Sequence, residues 1–237
     1  MITAGWFGLI VCGLLEAAPA SSTVEAREVV VLVHGMGRTH YSMRPVETAL
    51  AAAGFDVINH RYPSRRRTVQ ESGEALAMQV AALESRDDVA RIHMVGHSLG
   101  NIVIRWVAAN QRPAKIGRIV MLAPPNQGAH LADRFAPWLS WLSEPLADLT
   151  TAETSAARMI PTPPGLEIGI IAGSLDRTVR VPETMLVGQK EQIVVSSGHT
   201  FIMRKPLVHH LIVHFLRHGT FLEAPVPIKP CQSLPGS

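Results

Sequence analysis

The stretch VGHSLG, Val95 to Gly100, decides the fold. The apolar run RIHMV precedes it, and NIVIRWVAAN, with apolar residues at helical spacing, follows it. A buried strand therefore passes into a helix within a very few residues. A turn this tight puts Ser98 in a strained backbone conformation at its apex, and Gly96 and Gly100 leave room for the neighbouring backbone.

Working outward, short apolar runs alternate with longer helical patterns from Arg27 onward, which predicts parallel strands joined by crossover helices. EVVVLVHG is continuously apolar and rich in valine, as expected of a strand covered on both faces, and it ends at Gly35. Ser42 is placed to cap a helix running through Ala53 and ended by Gly54. FDVINHRY supplies a second strand and Val69 to Leu83 a second helix. RIHMVGH is the third strand, and LGNIVIRWVAAN is the helix after the turn. RIVMLAPP, LEIGIIAG and EQIVVSS give three more strands, and KPLVHHLIVHFLRH forms the closing helix, ended by Gly219. Between the fourth and fifth strands lies a long insertion, Asn126 to Pro164, in which Trp138, Leu139, Trp141, Leu142, Leu146 and Leu149 recur at helix-like spacing. It reads either as a core-covering helix or as a cap beside a pocket, with Trp138 and Trp141 as candidate substrate contacts.

The chain has 237 residues, 47% hydrophobic and 17% charged, which suits one globular domain over 27–221. A net charge of +3, with basic residues spread out except at Arg65, Arg66 and Arg67, argues against nucleic acid as a partner. Cys12 and Cys231 provide neither a disulfide framework nor a zinc spacing. Residues 1–20 hold an apolar run from Ala4 to Leu15 and then Ala18-Pro19-Ala20, a small-x-small site. This pattern predicts a signal peptide or N-terminal anchor, and hence export or membrane attachment; no Lys or Arg precedes the run, and the alternative reading is a packing helix or a mis-called start in a cytoplasmic protein. Residues 222–237 read as a proline-rich extension.

Gly-x-Ser-x-Gly between strand and helix is the nucleophile-elbow pattern. A serine hydroxyl needs a base to take its proton and a third group to orient that base. In this arrangement the acid and the histidine follow the serine, each just after a later strand. Asp176 follows the fifth strand and His199 the sixth. Glu183 is the rival acid, while Asp133 and Asp148 fall in the insertion. His97, adjacent to the serine, reads as a packing residue, and His34 as a structural one that fixes the loop after the first strand. The developing oxyanion needs donors aimed at it. The backbone N–H of Leu99, at the start of the helix, and that of Met36, in the glycine-rich HGMGRTH loop, are the expected pair. Arg65 to Arg67 follow the second strand, where they could line the rim of the site and contact an anionic group such as a lipid phosphate or a carboxylate. His210, His214 and His218 recur every fourth residue on the closing helix with no Asp, Glu or Cys among them. They read as residues bordering an apolar face of Leu207, Leu211, Ile212 and Phe215 rather than as metal ligands.

HGMGRTHYSM, GHSLG, APPNQG, AGSLDRTV and GHTFIM with FLRHG resemble the α/β-hydrolase family, in particular its small bacterial esterase and lipase-like serine hydrolases, over roughly Glu28 to Phe221. The resemblance implies a parallel central sheet of about six strands with helices on both faces, no cofactor, and hydrolysis of carboxylic esters through an acyl-enzyme. It carries the nucleophile onto Ser98, the acid onto Asp176, the base onto His199 and the oxyanion donors onto Met36 and Leu99. The fold should be the family's minimal form, because little chain is left for the two antiparallel strands that open larger members. The expected partner is a small-molecule or lipid ester, with possible contact to a membrane surface. Acyl transfer, amide cleavage and a noncatalytic binding module on the same scaffold are the alternative functions.

Overall fold

The alternation of valines in the first strand fixes how the layers are built. In this computed structural model, which describes residues 26–139 and 144–222, with backbone only over 137–139 and at Glu144, the first strand is β1 (Arg27–Val33). Val29, Val31 and Val33 turn to one face of the sheet and Val30 and Leu32 to the other, and all five are buried. Each face needs its own helical cover. On the first face the cover is α2 (Val69–Glu84) and α3 (Leu99–Asn110), through Leu76, Val80, Ile102 and Val103. On the second it is α1 (Arg44–Ala52) and α6 (Pro206–His218), through Val46, Leu50, Leu211 and Phe215.

The remaining strands are β2 (Asp56–His60), β3 (Val89–His97), β4 (Ile116–Leu122), β5 (Ile168–Gly173) and β6 (Glu191–Val195). All pairings among them are parallel, in the order β2-β1-β3-β4-β5-β6. This is the expected six-stranded parallel sheet with helices on both faces. From β1 the chain steps outward to β2 and then returns to the other side of β1, so β1 and β3 flank the point where the winding reverses. Ligands of open α/β sheets bind at such a point, and Ser98 lies directly beyond the end of β3.

Several local expectations need correction. Ser42 does not cap α1: it lies in a 3-10 turn, His40–Met43, with its hydroxyl donating to the Thr39 carbonyl, and the α-helix proper begins at Arg44 with Pro45 in its first turn. The capping box sits instead on α2, where Thr68 and Glu71 satisfy each other's backbone N–H groups. On α6, Leu207 faces solvent at 57% exposure, and the buried stripe is Val208, Leu211, Ile212, Phe215 and Leu216. The insertion forms α4 (His130–Leu139), a 3-10 segment at Glu144–Leu149 and the single turn α5 (Ala156–Met159). No helix of the described residues is long and apolar enough to cross a membrane. The N-terminal segment with its Cys12, the proline-rich extension with Cys231, all of Trp141 and the side chain of Trp138 lie outside the described residues.

Candidate active site

Ser98 adopts φ 52°, ψ −124° between β3 and α3, a left-handed conformation that costs a non-glycine residue free energy and persists only where surrounding structure enforces it. The enforcement is visible on both sides. A Cβ on Gly100 would stand 2.3 Å from the Val33 carbonyl oxygen, and one on Gly96 would stand 2.3 Å from Asn101 Oδ1. The end of β1 therefore presses directly on the first turn of α3. Asn101 tightens the turn further by donating to the carbonyls of Ser98 and Leu122.

Strand ends separated by a hundred residues meet here. The Ser98 hydroxyl lies 3.0 Å from His199 Nε2, and His199 Nδ1 lies 2.7 Å from Asp176 Oδ2. Since the carboxylate accepts from Nδ1–H, Nε2 is left as the acceptor for the serine hydroxyl. Asp176 is itself held in place: Oδ1 accepts from the backbone N–H groups of Thr178 and Val179 at 2.8 and 2.9 Å. The serine and the aspartate are buried at 8% and 7% exposure, so the chain of three groups is largely shielded from competing water. A hydroxyl bonded to an imidazole that is itself oriented by a carboxylate can give up its proton as it attacks an electrophile.

Glu183 takes no part in this chain. Its carboxylate caps the 3-10 turn Val181–Thr184 by accepting from Arg180 N and pairs with His130. Asp133 receives the backbone and hydroxyl of Thr151, and Asp148 caps α2 through Val69 N. All three acids serve the insertion and its neighbours.

His97 does more than fill space. Its Nε2 donates to the backbone carbonyl of His199 at 3.0 Å, and the two rings lie 4.9 Å apart. Burial holds this imidazole neutral, pushing its pKa well below the ordinary value, with the neighbouring His199 acting in the same direction. The sequence offered no signal for this bond, because its partner is a carbonyl 102 positions away. His34 fulfils its expected structural part: it stacks on Tyr62 at 4.4 Å, and the Tyr62 hydroxyl donates to its carbonyl at 2.6 Å.

An apolar cavity of about 270 Å³ opens over Ser98. Leu131, Ala132 and Phe135 of α4 line one side with Leu146 and Leu149, and Met36, Gly37 and Arg65 line another. The insertion thus borders the cavity, as the cap alternative requires. Met36 stands beside Ser98, while the neighbouring Gly37 N–H is engaged by Ser64 Oγ. Leu99 is the first residue of α3, where the helix dipole is positive. Of the three consecutive arginines only Arg65 reaches the cavity; Arg66 and Arg67 are exposed away from it. Arg105 is a second feature the sequence did not reveal. It is buried in α3, with its pKa lowered to about 10, and its guanidinium donates to Asn126 Oδ1 and to the carbonyls of Ala157 and Ile160. Among the described residues, no group of three or more His, Cys, Asp or Glu side chains is arranged to hold a metal.

Residues 30–161 match the sequence profile of the alpha/beta hydrolase family. The chain belongs to this family. A triacylglycerol lipase from Pseudomonas fragi is 31% identical over 144 residues, covering 56% of this chain and 47% of the lipase, so the chain spans about half the length of that relative. Among solved structures, the mature form of Bacillus licheniformis lipase BlEst2 superposes with a TM-score of 0.62 at 15% identity, over 82% of this chain and 93% of the other. Aspergillus fumigatus lipase B superposes at 0.68 and 16% identity, over 86% and 56%. At such identities the structural likeness concerns the fold, which among the described residues of this alpha/beta hydrolase is a six-stranded parallel sheet between helical layers.

Proposed function

We propose that this alpha/beta hydrolase cleaves carboxylic esters, as an esterase or lipase, through an acyl-enzyme on Ser98. The observation that carries the proposal is the continuous bonding from Ser98 Oγ to His199 Nε2 at 3.0 Å and from His199 Nδ1 to Asp176 Oδ2 at 2.7 Å. Ser98 Oγ attacks the ester carbonyl carbon while its proton passes to His199 Nε2. The resulting oxyanion is stabilised by the backbone N–H groups of Leu99 and Met36. As the intermediate collapses, the C–O bond to the alcohol breaks and His199 returns the proton to the leaving oxygen. Water, deprotonated by His199, then attacks the acyl group, releases the acid and restores Ser98. Asp176 holds the imidazole in the tautomer these steps require. The apolar cavity wall from Leu131 to Leu149 suits an acyl chain, and the relative named a triacylglycerol lipase supports ester chemistry over amide cleavage.

A series of p-nitrophenyl esters from acetate to palmitate, turned over by the native protein and by Ser98→Ala, tests the proposal. Hydrolysis by the native protein and a loss of about 10⁴-fold or more in the variant are expected. Undiminished turnover by Ser98→Ala, or no turnover of any ester by the native protein, would overturn it. A rise in rate as the longer esters aggregate would mark a lipase rather than a soluble esterase.

A further inference from the structure

Among the described residues, Arg65 is the one charged residue lining the cavity over Ser98; the others are apolar side chains, backbone and two hydroxyl residues. Among the described residues its guanidinium has no carboxylate partner. Arg27, Arg86 and Arg118, by contrast, each pair with an acid.

Its position is set by the loops around it. Gly37, at φ +67°, lies flat against the guanidinium: a Cβ there would stand 3.0 Å from both Nε and Nη2 of Arg65. A side chain at this position would be strained by the left-handed backbone and would displace the guanidinium from where it lies. Ser64, the residue before Arg65, ties the same two loops together by accepting from Gly37 N at 3.1 Å and donating to the Arg38 carbonyl at 3.3 Å. The loop after β1, which carries Met36, and the loop after β2, which carries Arg65, are thereby cross-linked beside the serine.

From this arrangement we infer that the cavity selects esters bearing an anionic group, a carboxylate or a phosphate, close to the scissile bond, and that Arg65 is the specificity-determining residue. The inference rests on the ester-hydrolase reading of Ser98. A guanidinium offers paired N–H donors to either anion. In a cavity whose other described lining residues carry no charge, an anionic substituent gains a partner there that a neutral one does not. Arg66 and Arg67 do not line the cavity, which places the selectivity on one side chain rather than on the basic run as a whole.

The measurement is a ratio of kcat/KM values for matched substrates in the native protein and in Arg65→Gln, Arg65→Lys and Arg65→Glu. One pair places the anion on the acyl side, mono-p-nitrophenyl glutarate against p-nitrophenyl valerate. The other places it on the alcohol side, dibutyryl phosphatidic acid against dibutyrin. The native protein should favour the anionic member of at least one pair, and the pair in which it does so identifies whether an acyl-side carboxylate or an alcohol-side phosphate is read. Arg65→Gln should lower that ratio about tenfold, Arg65→Lys should keep part of it, and Arg65→Glu should reverse the preference. Raising the salt concentration should erode the native preference, since the arginine is solvent-exposed. Ratios that are the same in the native, Gln and Glu proteins for both pairs would overturn the inference while leaving ester hydrolysis standing. If turnover itself were absent, calorimetric binding of the same pairs to Ser98→Ala would give the ratio without chemistry, and equal binding of anionic and neutral members would overturn it as well.

Discussion

His97 stands next to Ser98 in sequence, yet its ring acts on the other end of the site, donating to the carbonyl of His199. With Nε2 committed as donor, its Nδ1 is a buried acceptor without a hydrogen-bond partner among the described residues. An unmet polar atom inside a fold costs free energy, so the bond at Nε2 is retained against a local penalty. The consequence is positional: the His199 backbone is fixed from below, while Asp176 fixes its ring from the side. His97→Leu, similar in bulk but without a donor, should lower kcat by about 10- to 100-fold with little change in KM, because small misplacements of a reacting group are that costly. His97→Gln, whose amide can donate from a similar distance, should recover much of the loss. Steady-state kinetics on one soluble ester checks this, and full kcat in His97→Leu would reduce the residue to packing. Ser98, Asp176 and His199 were legible in the sequence because strand-end position and residue type together identify them. The part played by His97 was not, because nothing local specifies a hydrogen bond to a distant main-chain carbonyl.

At the level of elements, the insertion is anchored to the domain by a buried cation as well as by apolar residues such as Leu146, Leu149, Ala157 and Ile160, which join the core over the first face of the sheet. Arg105 reaches out of α3 to the carbonyls of Ala157 and Ile160, at the turn α5 that leads back towards β5, and its burial without a carboxylate is what lowers its pKa. Replacing it with Met keeps much of the volume but strips donors from two carbonyls and from Asn126, a buried side chain that also donates to the Thr184 carbonyl. Arg105→Met should destabilise the fold by about 2–3 kcal/mol and raise hydrogen exchange over 156–160 more than in β1 or β3. Unchanged exchange in that segment would show that other contacts hold the insertion. The sequence shows Arg105 only as one polar residue within a helical pattern, and apolar spacing cannot distinguish a buried arginine from an exposed one. The same limitation explains Leu207: spacing placed it on the buried face of α6, but the buried stripe runs through Val208, Leu211, Ile212, Phe215 and Leu216 and leaves Leu207 on its solvent side. Ser42 misled for a related reason, because a capping residue type cannot reveal that a 3-10 turn precedes the helix and uses the hydroxyl itself.

For the molecule as a whole, the valine-rich runs made the parallel sheet legible, whereas the strand order that puts β1 beside β3 depends on crossovers a linear pattern only implies. Packing that sheet between two helical layers also buries several histidines. His34, His60, His93 and His97 are all nearly inaccessible, and burial lowers the pKa of each from its ordinary value near 6.5. His93 shows how the neutral form is built in: its Nδ1 accepts from the Arg118 backbone N–H at 2.9 Å. The unfolded chain takes up protons below pH 6.5 that these rings refuse while folded. Stability is therefore complete above that pH and declines as pH falls through it, by at most about 1.4 kcal/mol per pH unit for each ring. The carboxylates whose pKa values are lowered by their ion pairs, Asp88 and Glu167, start from ordinary values of 3.8 and 4.5 and act in a more acidic range, so the two contributions separate. Thermal unfolding should give a flat Tm from pH 8 to 7 and a falling one from 6.5 to 5, well before the carboxylates are protonated. Replacing His93 with Gln should shrink the fall between pH 6.5 and 5 even if it lowers Tm throughout. A Tm that stayed level down to pH 5 would mean that these rings become protonated inside the folded protein, and that the shell around the site is more open than its burial indicates.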